Sequence, residues 1–165
     1  MITIREITSA SAGLYFNLLR QGLVSDEDHF RIAPEDDEQA TFPTRDTADS
    51  FTIAAFSNDE LCGIASFARD GDNRRKLRHK GILFRMYVAA PYRGQGISSL
   101  LIKAALERAR QLDDIEQVNL TVIAVNDRAK HLYTKFGFRT FGVEERAIKW
   151  KGKYFDEEQM VLFLK

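Results

Sequence analysis

Between the apolar run Ile82-Leu83-Phe84-Arg85-Met86-Tyr87-Val88 and a helical stripe that begins at Ile97, the chain reads Tyr92-Arg93-Gly94-Gln95-Gly96-Ile97-Ser98-Ser99. A strand that feeds a helix through a short glycine-rich turn, with a second strand after the helix, is a crossover, and crossovers join parallel neighbours in a sheet. Ile97, Leu100, Leu101, Ala104 and Ala105 recur at helical spacing and predict a helix ending near Leu112. Val118 to Ala124 supplies the second strand. This unit limits the fold to a sheet with at least one parallel pair and helices packed on it.

The other elements surround that unit. Ile2, Ile4 and Ile7 predict a first strand, and Leu14, Tyr15, Leu18 and Leu19 a helix behind the capping candidates Ser9 and Ser11. From Ser25 to Asp49 the chain turns polar and acidic and predicts a loop with a short second helix. Two β-rich runs, 51–56 and 61–68, flank the turn residues Ser57-Asn58-Asp59-Glu60 and form a hairpin with 82–88 as its neighbour. Ala129, Leu132, Tyr133 and Phe136 form a second helical stripe closed by Gly137, and strands over 138–150 and 154–164 finish the chain around Lys151-Gly152-Lys153. The expected fold is α/β, one domain over residues 1–165. Its seven-stranded sheet is mostly antiparallel, with a parallel splayed central pair and helices on both faces.

Composition narrows the partners. The 165 residues carry 24 basic and 24 acidic side chains, so no overall positive field would hold a polyanion, and nucleic acid is not an expected partner. No run of about 18 apolar residues occurs and Met1 leads straight into a strand, so the expectation is a soluble, cytoplasmic protein with no membrane partner. Cys62 is the only cysteine, which excludes an internal disulfide and a thiolate metal cluster; its strand-like setting reads as a buried structural thiol. No metal is expected. The basic run from Arg74 to Lys80 reads as a solvated hairpin tip, against an anion site, and His79 within it as structural.

A glycine-rich loop at a helix N-terminus directs unpaired N–H groups and the positive end of the helix dipole at one point, a seat for a pyrophosphate. Two common phosphate loops fail here. A P-loop needs Lys and Ser or Thr directly after its last glycine, where this chain has Ile97. A dinucleotide fingerprint needs a third glycine at the position of Ser99.

The stretch instead resembles the Arg/Gln-x-x-Gly-x-Gly/Ala pattern of the GNAT superfamily of acetyl-CoA N-acetyltransferases, with Arg93, Gly96 and Ser98 in the defined places. Serine departs from the pattern at the last place but is small enough for close phosphate approach. Further on, Asn126-Asp127-Arg128-Ala129 to Tyr133, followed by Gly137-Phe138, resembles the family's second motif, Asn-x-x-Ala-x-x-x-Tyr with a Gly-Phe step. The resemblance covers residues 81 to 145 strongly and the remaining elements in order.

The resemblance implies that the chain binds acetyl-CoA as co-substrate and transfers the acetyl group to a primary amine. The amides of Gly94, Gln95, Gly96, Ile97, Ser98 and Ser99, with Arg93 beside them, would hold the pyrophosphate. The two central strands would splay after Val88, leaving backbone groups of Met86 and Val88 for the pantetheine and the Val88 N–H for the oxyanion. Asn126 would bond the pantetheine, or else cap the following helix. Tyr133 would be the general acid for the thiolate, or else complete the apolar stripe. The base is left open among Glu144, Glu145 and a chain of waters. The acids from Asp26 to Glu38 read as the lining of a site for a cationic acceptor, or else as plain surface. A homodimer is expected if the apolar stretch 160–164 is a sheet edge in need of cover. The competing reading is a non-catalytic acyl-CoA-binding sensor, which would have no use for Tyr133.

Overall fold

The computed structural model describes residues 1–39, 41–71 and 74–165, without the side chains of residues 37–39. The strands are β1 (Ile2–Ile7), β2 (Ser50–Ser57), β3 (Glu60–Arg69), β4 (Lys80–Val88), β5 (Gln117–Ile123), β6 (Arg139–Trp150) and β7 (Lys153–Phe163). The helices are α1 (Ala12–Ser25), α2 (Ile97–Arg110) and α3 (Asp127–Lys135). All seven strands form one sheet in the order β1-β2-β3-β4-β5-β7-β6, in which only β4 and β5 run parallel. The mixed architecture expected from the sequence is what the chain adopts.

β2 and β3 read as near-continuous apolar runs because both faces of the sheet are covered there. Phe51, Ile53 and Ala55 face one way, into a cluster with Ile97, Leu101, Ile102, Ala105, Leu106 and Ala109 of α2. Ala54 and Phe56 face the other way, against Tyr15, Leu18, Leu19 and Leu23 of α1. The buried stripe of α2 is rotated from the expected one: Ile102, Leu106 and Ala109 are inside, whereas Leu100 is 43% exposed. Cys62 is fully buried, its thiol donates to the Ala55 carbonyl at 3.3 Å, and burial pushes its pKa up.

Four expectations need correction. The β4–β5 ladder holds only Lys80↔Gln117, Gly81↔Val118 and Ile82↔Asn119, so the strands part after Ile82 rather than after Val88. β7 is not an edge: it pairs with β5 on one side and β6 on the other, so the apolar stretch 160–164 is covered and β6 takes the edge. The polar stretch after α1 forms two short 3-10 turns, Glu27–His29 and Pro34–Gln39, in place of a second helix. Thr8, rather than Ser9 or Ser11, supplies the capping oxygen ahead of α1, accepting from the Ala10 N–H at 3.3 Å.

The basic run 74–80 lies on the far end of the sheet, with Arg78 3.6 Å from Asp114 and Lys80 3.8 Å from Asp70. His79 there accepts from the Glu116 N–H through its backbone carbonyl. Among the described residues, no helix is long and apolar enough to cross a membrane, and no group of three or more potential metal ligands comes together.

Candidate active site

Where β4 and β5 part, a cleft of about 950 Å³ opens between them. Its shape comes from three local features of the sequence. The first is a bulge in β4. Ile64 pairs with Tyr87 but Ser66 with Phe84, so one extra residue is fitted on β4, and Arg85 takes φ 53° to accommodate it. Beyond the bulge the Ala89 N–H bonds the Cys62 carbonyl at 2.9 Å, and alternation along an antiparallel strand turns the N–H and C=O of Val88 to the other side. That side faces the gap, since β5 no longer pairs there.

The second feature is the turn into α2. Gly94 and Gly96 both have positive φ, at 76° and 77°, and Gly96 is the N-cap without any side-chain cap. The Leu100 N–H bonds the Gly96 carbonyl, whereas the N–H groups of Ile97, Ser98 and Ser99 have no earlier carbonyl of the helix to reach. A Cβ placed on Gly94 or Gly96 would meet nothing within 4 Å, so the space above the turn is open. Gly94, Gly96, Ile97, Ser98 and Ser99 line the cleft, while the exposed Gln95 side chain points elsewhere.

The third feature is the end of α3. The Phe138 N–H bonds the Tyr133 carbonyl at 3.1 Å and the Gly137 N–H bonds the Thr134 carbonyl at 3.0 Å, a Schellman closure that needs the left-handed conformation of Gly137 (φ 96°). The accompanying apolar contact is the edge-on packing of Phe138 on the Tyr133 ring, centroids 5.8 Å apart. Tyr133 is thereby held at the wall of the cleft, 7% exposed, and burial pushes its phenol well above the ordinary tyrosine range. It stays protonated throughout the neutral range. At the other end of α3 the Asn126 side-chain oxygen accepts from the Ala129 N–H at 3.2 Å, the expected cap. Its NH₂ group remains for a ligand, so the two readings of Asn126 are compatible.

Arg93 lines the cleft but does not stand over the glycine turn. Its Nε donates to the Val88 carbonyl at 3.1 Å, and its two terminal nitrogens donate to Asp26 at 3.1 and 2.6 Å. The Tyr87 hydroxyl adds a bond to Asp26 at 3.3 Å. The Arg93 guanidinium holds the Asp26 carboxyl below its ordinary value, and the pair fastens the end of α1 to the turn after β4.

Glu144, the base candidate, lies on edge strand β6, exposed and outside the cleft lining. Its cross-strand partner is Glu157 on β7. Paired residues project from the same face, so the two acids differ by one strand: Glu157 lies next to β5 and Glu144 at the rim. Glu145 is likewise exposed on β6. Sequence reasoning missed Glu157, which is 1% exposed, lines the cleft, and pairs in register with Ile123 at the open end of β5. It also missed Arg31, whose Nε lies 2.7 Å from the Glu157 carboxylate. Of the acidic run, Asp26 is taken by Arg93, and Glu27 by Lys151 at 2.7 Å. The side chains of Asp37 and Glu38 lie outside the described residues.

Residues 16–138 match the model of the acetyltransferase (GNAT) family. An acetyltransferase of that family from Streptococcus pneumoniae superimposes with a TM-score of 0.86 at 27% identity, covering 99% of this chain and 100% of the other. A Salmonella typhimurium protein solved with its cofactor acetyl-CoA shares the fold at 17% identity, with a TM-score of 0.82 over 100% of this chain and 95% of the other. The spermidine N(1)-acetyltransferase of Vibrio cholerae is 31% identical over 86 residues, which are 51% of this chain and 49% of that protein. The match thus spans about half the length of that curated relative.

Proposed function

Because the chain belongs to the acetyltransferase (GNAT) family, we propose that it transfers the acetyl group of acetyl-CoA to a primary amine by direct attack within a ternary complex. The observation that carries this reading is the gap between β4 and β5, which has unpaired amides of α2 at one end and a buried, protonated Tyr133 on its wall. The amides from Gly94 to Ser99 hold the pyrophosphate at the positive end of the α2 dipole. The backbone of Met86 and Val88 and the side-chain amide of Asn126 bond the pantetheine, which fills the gap as a strand would.

The Val88 N–H faces the developing oxyanion as the amine nitrogen bonds to the thioester carbon. The carbon–sulfur bond then breaks, the Tyr133 phenol gives its proton to the departing thiolate, and the proton that the acylated nitrogen sheds as it becomes an amide restores the phenol. A phenol kept neutral by burial is suited to that task. Arg93 acts as a positioning residue: bonded to Asp26 and to the Val88 carbonyl, it fixes the turn that both ends of the cofactor touch. Glu144, exposed on the edge strand and outside the cleft lining, is given no part in these steps.

The acceptor class that fits is a cationic amine, as in a polyamine or a peptide amine. The buried carboxylate of Glu157 lies in the cleft, and Asp28 and Asp36 lie on the segment whose residues 29–32 line it. The half-length likeness to a spermidine acetyltransferase points the same way.

The test is mass spectrometry on purified protein, acetyl-CoA and a panel of spermidine, simple alkylamines and short peptides. A singly acetylated amine, formed only with protein present, is the expected product. Acetyl-CoA binding without any product across the panel would favour a sensor instead.

A further inference from the structure

The ion pair between Glu157 and Arg31 differs from the Arg93–Asp26 and Arg69–Asp49 pairs. Arg93 and Arg69 are 31% and 10% exposed and aim N–H groups directly at their acids. Arg31 is 67% exposed while Glu157 is 2% exposed, and although Nε and Oε2 are 2.7 Å apart, that oxygen receives no aligned hydrogen bond among the described residues. A buried carboxylate without a cation is costly, so some positive group must stand beside it. Here that group is borrowed from the connection between the two 3-10 turns, reaching into the cleft from solvent. The same cleft is lined by Val88 and Tyr133.

We propose that Glu157 is the subsite for the positively charged nitrogen of the acceptor, and that Arg31 occupies it as a placeholder in the free protein. This rests on the acetyltransferase reading for its meaning but not for its test. An incoming alkylammonium displaces the Arg31 guanidinium, replaces one misaligned contact with N–H groups free to rotate into line, and releases Arg31 to the solvent that already surrounds most of it. A compact ammonium on a slender alkyl chain suits the space that a single arginine tip now fills. Arg31 therefore competes with the acceptor, and its removal tightens ammonium binding.

The experiment uses n-butylammonium as the probe, titrated into the intact protein and followed by amide chemical shifts, with n-butanol as the uncharged control. If Arg31 fills the subsite nine-tenths of the time, Arg31→Ala binds n-butylammonium about 10-fold more tightly than wild type. Adding Glu157→Gln abolishes the gain, and n-butanol binding does not change with either substitution. Arg31→Met, which keeps the stem over the cleft without the charge, gives the same result if the alanine variant folds poorly; melting curves for each variant decide which is read. Equal affinity in wild type and both Arg31 variants would overturn the proposal, as would a gain that survives Glu157→Gln. Acetyl-CoA titrations run in parallel separate the two readings, since failure to bind acetyl-CoA contradicts the acetyltransferase function while leaving the ammonium result to stand or fall by itself.

Discussion

Arg93 holds both carboxylate oxygens of Asp26, at 3.1 and 2.6 Å, across 67 residues of sequence. Because the contact lowers the Asp26 pKa below its ordinary 3.8, the charged form is favoured by folding. Its contribution is fully present above that ordinary value and is lost as pH falls through the depressed folded value. The pair is partly exposed, so Asp26→Asn is expected to cost about 1–2 kcal/mol at neutral pH, less than a fully buried charged contact would give. Urea melts of wild type and variant should differ by that amount at pH 7 and converge as pH drops below 3.8. A gap that does not narrow at all as pH falls below 3.8 would contradict the ion-pair account.

Tyr133→Phe removes one hydroxyl that has no hydrogen-bond partner among the described residues and leaves the ring packing on Phe138 intact. Stability should change little. The acetyl transfer rate should fall about 100-fold or more, the usual contribution of a positioned acid, with acetyl-CoA affinity within a few-fold of wild type. Steady-state kinetics beside calorimetry separates the two quantities.

Gly96→Ala places a Cβ at φ 77° and in the open space over the turn. The backbone strain costs about 1–2 kcal/mol in thermal stability. If that space receives the pyrophosphate, acetyl-CoA affinity drops by about 10-fold or more, beyond what a loss of folded protein explains. Calorimetric titration at a temperature where the variant is fully folded checks this.

Asn126 is expected to serve two partners at once, and two substitutions pull them apart. Asn126→Asp keeps an oxygen to cap Ala129 and so keeps stability, but has no N–H to offer the pantetheine. Asn126→Ala loses the cap as well, at about 1 kcal/mol. Both should weaken acetyl-CoA binding, and only the alanine variant should melt earlier.

What the sequence disclosed and what it withheld divides by distance along the chain. The glycine turn at 94–96, the cap at Asn126 and the closure at Gly137 are decided by neighbours a few residues apart, and each was legible as a pattern. β2 and β3 were legible because burial on both faces leaves a near-continuous apolar run, interrupted by Thr52 and Ser66, which bond each other at 2.8 Å. Strand order was not: nothing in the residues of β7 says that it inserts between β5 and β6, and reading it as an edge hid Glu157, whose place in the cleft depends on that insertion. The onset of the splay was missed because it is set by the three-pair ladder of β4 with β5. The Arg93–Asp26 contact is not legible locally, because the two residues lie 67 positions apart and the segment around Asp26 shows only excess acidity.

The most direct test of the account is a titration of the isotope-labelled protein with acetyl-CoA, following the backbone amide resonances. The account predicts saturable binding that shifts the amides of Val88 and of Gly96 to Ser99, together with the side-chain amide of Asn126, and leaves those of β1 in place. No binding, or saturable binding that leaves Val88 and the α2 turn unmoved, would contradict it.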